Sequence, residues 1–293
     1  MARRMKGGRT RSDFGRDNLP RTYPSLWADN VRQRWGTLLL FGALSLLALL
    51  PSFALLIWED LYAFSLSDKV SLGELTLAQA ASLSFWHRNI TGSFYLLAIP
   101  IFLIVSFALM RYLRLLAFQE PLFWKDDFFS SLKATWKFGL VYGLVFAALL
   151  WVSLFVAGSD IHPFLRYLPL LLLIVFLLPL LLYSLTLTPY YDLSFFGLLS
   201  RSVLLYLRHF PFTLLFLLGF VSPFFSFFIA NPLIRYPLLL LFVVFLYPLL
   251  MHAWMVYCLS IYDKDINKDD FPDFYRKGMA PSEGEKNGKH SAQ

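Results

Sequence analysis

Apolar residues run through six long stretches of this chain, near 37–58, 94–116, 138–158, 165–187, 211–230 and 236–259. Each can form the helix of about 20 residues that crosses the hydrocarbon of a bilayer. The runs are continuous, whereas the strands of a membrane barrel alternate, so the pattern predicts helices. Their middles contain no Asp, Glu, Lys or Arg.

Three stretches between them carry a different pattern. In 25–35, Trp27, Val31 and Trp35 share a helical face opposite Asp29 and Gln33. In 122–137, Trp124, Phe128, Phe129, Leu132 and Trp136 oppose Asp126, Ser130, Lys133 and Lys137. In 192–210, Phe195, Phe196, Leu199, Val203, Tyr206 and Leu207 oppose Ser194, Gly197, Arg201 and Arg208. Such aromatic-faced amphipathic helices suit the bilayer interface. Each directly precedes an odd-numbered span, which predicts three tandem units of one interfacial helix plus one transmembrane hairpin. On the other side, Ser71 and Glu74 have capping-box spacing, followed by Leu72, Leu75, Leu83 and Trp86 on one face. That predicts a short helix lying on the outer leaflet.

The fold class expected is therefore an all-α integral membrane protein of six transmembrane helices with three cytoplasmic interfacial helices. The membrane domain spans 24–277, between polar tails without periodicity at 1–23 and 278–293. Composition agrees, since 58% of the residues are apolar and Phe alone occurs 31 times.

Charge orients the helices. Nine Lys/Arg precede the first span, five lie in 111–137, two in 201–208 and six after 262, which is 22 of the 26. Lys69, Arg88, Arg166 and Arg235 alone fall on the alternate connections. By the positive-inside rule both termini are cytoplasmic. The net charge of +7 and the basic run Arg3, Arg4, Lys6, Arg9 and Arg11 then read as contacts to anionic lipid head groups, not to nucleic acid, for which no recognition fold is present. The first apolar segment follows 36 mostly polar residues and is too long for a signal core, so it is expected to remain as an anchor. Cys258 is the single cysteine, which excludes an intramolecular disulfide. The sequon Asn89-Ile-Thr91 sits beside a span, where the pattern carries little weight.

Chemistry is sparse. His252, near the inner end of the last span, is the leading ionisable suspect at membrane depth; the competing expectation is a neutral imidazole hydrogen-bonded to a neighbouring helix. Tyr142, Ser153, Tyr183, Ser184 and Ser222 complete the intramembrane polar inventory. Arg111 and Arg114 lie one turn apart beyond the second span and can meet head groups or pair with Glu120, Asp126 or Asp127. Trp136 and Asp192, in the second and third inner segments, complete the candidate positions. Asp160 and His162 form an acid–imidazole pair too small for a zinc site. Prolines 51, 100, 179, 223 and 248 shape or hinge the spans. Phosphate-loop, H-E-x-x-H and nucleophile-elbow signatures are absent, so no enzymatic activity, cofactor or metal is expected.

Several segments together resemble the YesL-like family of bacterial membrane proteins. They are GTLLLFGALSLLALLPSFALLI (36–57), RYLRLLAFQEPLFWKDDFFSSLKATWKFGL (111–140), YYDLSFFGLLSRSVLLYLRHFPFTLL (190–215) and IYDKDINKDDFPDFYRKGM (261–279). Residues 59–92 form a longer outer insertion than that family's pattern. Members have no established biochemical activity and are often encoded beside carbohydrate uptake and breakdown genes. The resemblance implies a bacterial cytoplasmic-membrane accessory or scaffold for another membrane protein complex such as a sugar transporter. Kinked spans in repeated units suggest the alternative, a small-molecule permease with a polar cavity at the bilayer midplane.

Overall fold

Capping chemistry starts the first helix. Thr22 and Ser25 cap one another's backbone amides, and α1 (Tyr23–Gln33) follows. A computed structural model describes residues 19–159, 162–229 and 231–280; the basic N-terminal run, Asp160 and the final thirteen residues lie outside the described residues. The described residues are 85% helical and include no strand. Five helical segments are long and apolar enough to cross a membrane: α2 (Trp35–Ser71), α3 (Leu77–Ala117), α4 (Trp124–Ala157), 164–187 and 232–270. α7 (Phe195–Arg208) and α8 (Phe210–Val221) meet at 102° and are long and apolar enough for a further crossing only when taken together. The protein is an all-α membrane protein.

Two expectations need correction. The amphipathic stretch 122–137 is not a separate interfacial helix but the first turns of α4, which runs unbroken over 124–157 with no proline to interrupt it. Only α1 and α7 stand apart from the spans they precede. The outer segment likewise is not a short helix lying flat. α2 and α3 run on past the apolar stretches to about 55 and about 61 Å at 1.5 Å per residue, roughly twice the hydrocarbon thickness. Ser71 donates back to the Asp68 carbonyl at 2.7 Å, so it does not cap with Glu74. Gly73, at φ 74°, turns the chain, and Thr76 with Gln79 forms the capping box that opens α3.

The even spans form the centre. α3, α6 (Leu178–Leu187) and α10 (Tyr247–Tyr262) touch one another, while α2, α4 and α8 pack around them. Burial follows this order: the most apolar windows of the second, fourth and sixth spans are 50%, 50% and 44% buried, against 22% in α2 and α4.

Spans four and six are copies. Shifted by 69 residues without a gap, 163–185 and 232–254 share Pro163/Pro232, Arg166/Arg235, Tyr167/Tyr236, three leucines, the Val-Phe-Leu before the later proline, and Pro-Leu-Leu itself. The shift holds in three dimensions. His162 and Asn231 each accept the amide two residues on, and α5 (Pro163–Leu172) and α9 (Pro232–Leu241) follow. A π-helical turn then occupies 173–177 or 242–246, just ahead of Pro179 or Pro248. Proline lacks an N–H and frees the carbonyl four residues earlier. Tyr206 donates to the freed carbonyl of Val175 at 2.7 Å. The freed carbonyl of Val244 faces Gly42, where an added Cβ would come within 2.2 Å of the oxygen. Pro179 and Pro248 thus set their freed carbonyls against neighbouring helices.

Candidate functional site

The end of the bundle that gathers the basic connections also gathers the polar chemistry. α10 continues beyond the apolar stretch into a π-helical turn, Asp263–Asn267, followed by α11 (Lys268–Asp270). Asp263 is only 2% exposed yet fully bonded. Its Oδ2 accepts from the Tyr23 hydroxyl at 2.8 Å and the Arg276 amide at 3.0 Å, and its Oδ1 from Asn267 Nδ2 at 2.6 Å. Asn267 accepts in turn from the Tyr191 hydroxyl at 2.6 Å. Burial pushes the Asp263 carboxyl above the usual range, and the Asn267 and Tyr23 hydrogen bonds pull it back. Tyr23 and Tyr191 are both raised, first by burial and then by the charge of Asp263.

Around this carboxylate the two chain ends interlock. Ala280 donates to the Pro20 carbonyl at 3.0 Å, and Met279 and Ala280 are buried, so the packed structure reaches past residue 277. Gly278 makes this possible: its φ is 82°, and a Cβ there would sit 2.5 Å from the Ala117 carbonyl. Lys277 pairs with Glu120 at 2.7 Å and lies over the Phe118 ring, while Arg34 donates to the Glu120 carbonyl at 2.9 Å.

The candidate residues distribute unevenly about this clamp. Arg111 pairs with Asp127 at 3.2 Å, tying α3 to α4, and Asp127 also accepts the Phe123 amide at 2.8 Å. Arg114 donates to the Pro189 carbonyl at 2.6 Å and so holds the connection between α6 and α7. Asp192 is exposed on that connection, in the wall of a 250 Å³ groove that also includes Thr135, Phe138 and Leu198. Asp126 is exposed on the first turn of α4, and Trp136 is 43% exposed with Lys137 over its ring. Arg111, Arg114 and Asp127 therefore belong to one assembly, Asp192 borders it, and Asp126 and Trp136 face outward.

The intramembrane hydroxyls close on each other. Tyr142 meets Ser184 at 2.6 Å, Ser184 meets Ser202 at 2.9 Å, and Tyr183 meets Thr213 at 2.9 Å. Ser153 and Ser222 donate to carbonyls of their own helices at 2.6 and 2.7 Å. His252 does not follow them. It is wholly buried, and neither ring nitrogen has a hydrogen-bond partner among the described residues, so the expected bond to a neighbouring helix is absent. It replaces Tyr183 in the 69-residue repeat, where the hydroxyl does find a partner. An unsatisfied buried group costs about 1–3 kcal/mol. His252→Leu is expected to raise the thermal midpoint in detergent by a few degrees; a fall of that size means the imidazole makes a needed contact. His162 caps α5.

Sequence reasoning missed Asp263, Asn267, Tyr191, Tyr23 and Arg276. The one local signal was Asp263 and Asn267 at i, i+4 on a helix leaving the membrane; their partners are up to 240 residues away. Comparison with models of known protein families, with curated proteins and with solved structures found no match to this chain.

Proposed function

We propose that this protein is a non-catalytic scaffold or accessory subunit of another membrane complex, such as a carbohydrate transporter, in a bacterial cytoplasmic membrane. Both termini are cytoplasmic in this reading, by the distribution of Lys and Arg. The observation that carries it is the clamp around Asp263, which joins α1, the α6–α7 connection and residues 271–280 into one rigid platform at the basic end. A platform held by buried hydrogen bonds keeps its outer aromatic residues in fixed positions. Trp124, Phe129, Trp136 and Phe196 are 48%, 57%, 43% and 79% exposed there, and Lys125 and Lys137 lie over the two tryptophans. Aromatic residues with cations suit a protein partner at the interface as well as anionic head groups. The sugar-transport context rests on the YesL-like resemblance.

A permease needs a polar route at the midplane. The hydroxyls there are spent on one another, and the mixed groove near Asp192 lies at the basic end. A photo-crosslinking residue at Phe196 or Trp136, in native membranes, is expected to give one discrete protein adduct, while the same probe at the lipid-facing Leu218 gives none. Lipid adducts alone at all three positions overturn the scaffold. Sugar uptake by the purified protein in liposomes favours the permease.

A further inference from the structure

At the end opposite the basic platform, α2, α3 and α9 leave the apolar region together. Asp60 joins them, accepting from Arg235 and, at 2.5 Å, from the Tyr236 hydroxyl. Asp60 also walls, with Glu59, Tyr62, Ala63, Ser84, His87 and Arg88, a small polar pocket of about 100 Å³. Its acceptors are unusual. Glu59 Oε1 and His87 Nε2 are both buried, and neither has a hydrogen-bond partner among the described residues. The His87 ring stacks on Tyr62 at 3.8 Å and meets Trp58 edge-on at 5.0 Å, so its position is set by packing. Arg88 is exposed at the rim.

The pocket's chemistry selects its ligand. A buried carboxylate oxygen, and an imidazole nitrogen that accepts when the ring proton is on Nδ1, with aromatic faces beside them, call for a compact cation bearing N–H donors. A primary ammonium offers three N–H donors to these groups, and a trimethylammonium offers none. The level is that of head groups: the first span ends near residue 58, the second begins near 94, and Trp58, Trp86 and Tyr236 mark the interface. A guanidinium at the mouth suits the phosphate such a cation carries in a phospholipid.

We propose that this pocket binds phosphoethanolamine, its ammonium on Glu59 and His87 and its phosphate on Arg88. The group comes either from a phosphatidylethanolamine molecule of the adjoining leaflet or from a soluble phosphoethanolamine. This site is separate from the platform and independent of the scaffold reading.

The test is native mass spectrometry of the purified full chain with phosphatidylethanolamine or phosphatidylcholine of matched acyl chains. The wild type is expected to retain the ethanolamine lipid about tenfold better, the scale of losing one charge-assisted hydrogen bond. Glu59→Gln is expected to erase that preference, and Arg88→Gln to lower retention of both lipids. Ala63→Leu, which narrows the pocket without altering charge, is expected to act like Glu59→Gln and carries the test if that variant does not fold. Equal retention of the two lipids by the wild type, or a preference that survives both Glu59→Gln and Ala63→Leu, overturns the proposal. Binding of soluble phosphoethanolamine in phosphatidylcholine nanodiscs, lost in Glu59→Gln, supports the site and assigns the soluble source.

Discussion

Asp263→Ala is expected to release both ends of the chain from the membrane domain while leaving the spans assembled. The carboxylate accepts from Tyr23, Asn267 and the Arg276 amide, and removing it leaves three donors without their acceptor in a nearly dry site. Stranding buried partners of a charged group costs about 3 kcal/mol or more, which corresponds to roughly a hundredfold increase in local opening. Limited trypsin digestion reads this directly. Cleavage at Arg32, Arg34, Arg276 and Lys277 should accelerate by about that factor, since all four lie in segments that the clamp immobilises. The hydrophobic interior formed by α3, α6 and α10 should keep its tryptophan spectrum, because Trp254 is wholly buried and bonded to the Leu182 carbonyl at 3.0 Å. Unchanged digestion rates, or a global loss of the Trp254 environment, would show that Asp263 does not act as a local latch. Gly278→Ala is expected to give the same digestion pattern by another cause, since its positive φ and the Ala117 carbonyl leave no room for a methyl group.

Gly42→Ala strikes the opposite kind of structure, the contact between the first and sixth spans. The added methyl would meet the Val244 carbonyl oxygen at 2.2 Å and the Pro248 ring at 2.9 Å. Backbone cannot move aside as a flexible side chain does, so the two helices must separate and lose the packing between them. Close approach at small residues is what holds membrane helices together, because lipid supplies no hydrophobic drive between them. An overpacked contact of this kind costs about 3 kcal/mol, and the thermal midpoint in detergent should fall by roughly 10 °C. Gly143 meets the Pro100 Cα in the same way, at 2.4 Å, and Gly143→Ala should behave alike at the joint between the second and third spans. Gly36, with nothing within 4 Å of its added Cβ, is the control, and Gly36→Ala should leave the midpoint unchanged. A midpoint that holds for Gly42→Ala means that the first span is not seated on the sixth in this way.

The sequence by itself determined where the apolar segments lie, five of them as helices long enough to cross a membrane and one more only as the bent pair α7 and α8, and which connections carry the basic residues. Hydropathy and charge are properties that each residue carries alone, and the bilayer responds to their local sum, so no distant partner enters the argument. The capping of α3 was misplaced by five residues because Ser71–Glu74 and Thr76–Gln79 have the same spacing, and the choice depended on how far α2 continued. The length of α2 and α3 beyond the apolar runs was set by the hairpin they form, with Tyr62 and Trp58 packed on His87, which compensates for leaving the lipid. Tertiary structure alone brought Tyr23, Tyr191 and Arg276 to Asp263 and Asn267, and Glu59 to His87 and Arg88. Those groups look ordinary in sequence because a polar side chain's meaning depends on which donors and acceptors replace its water, and here they arrive from helices far apart along the chain.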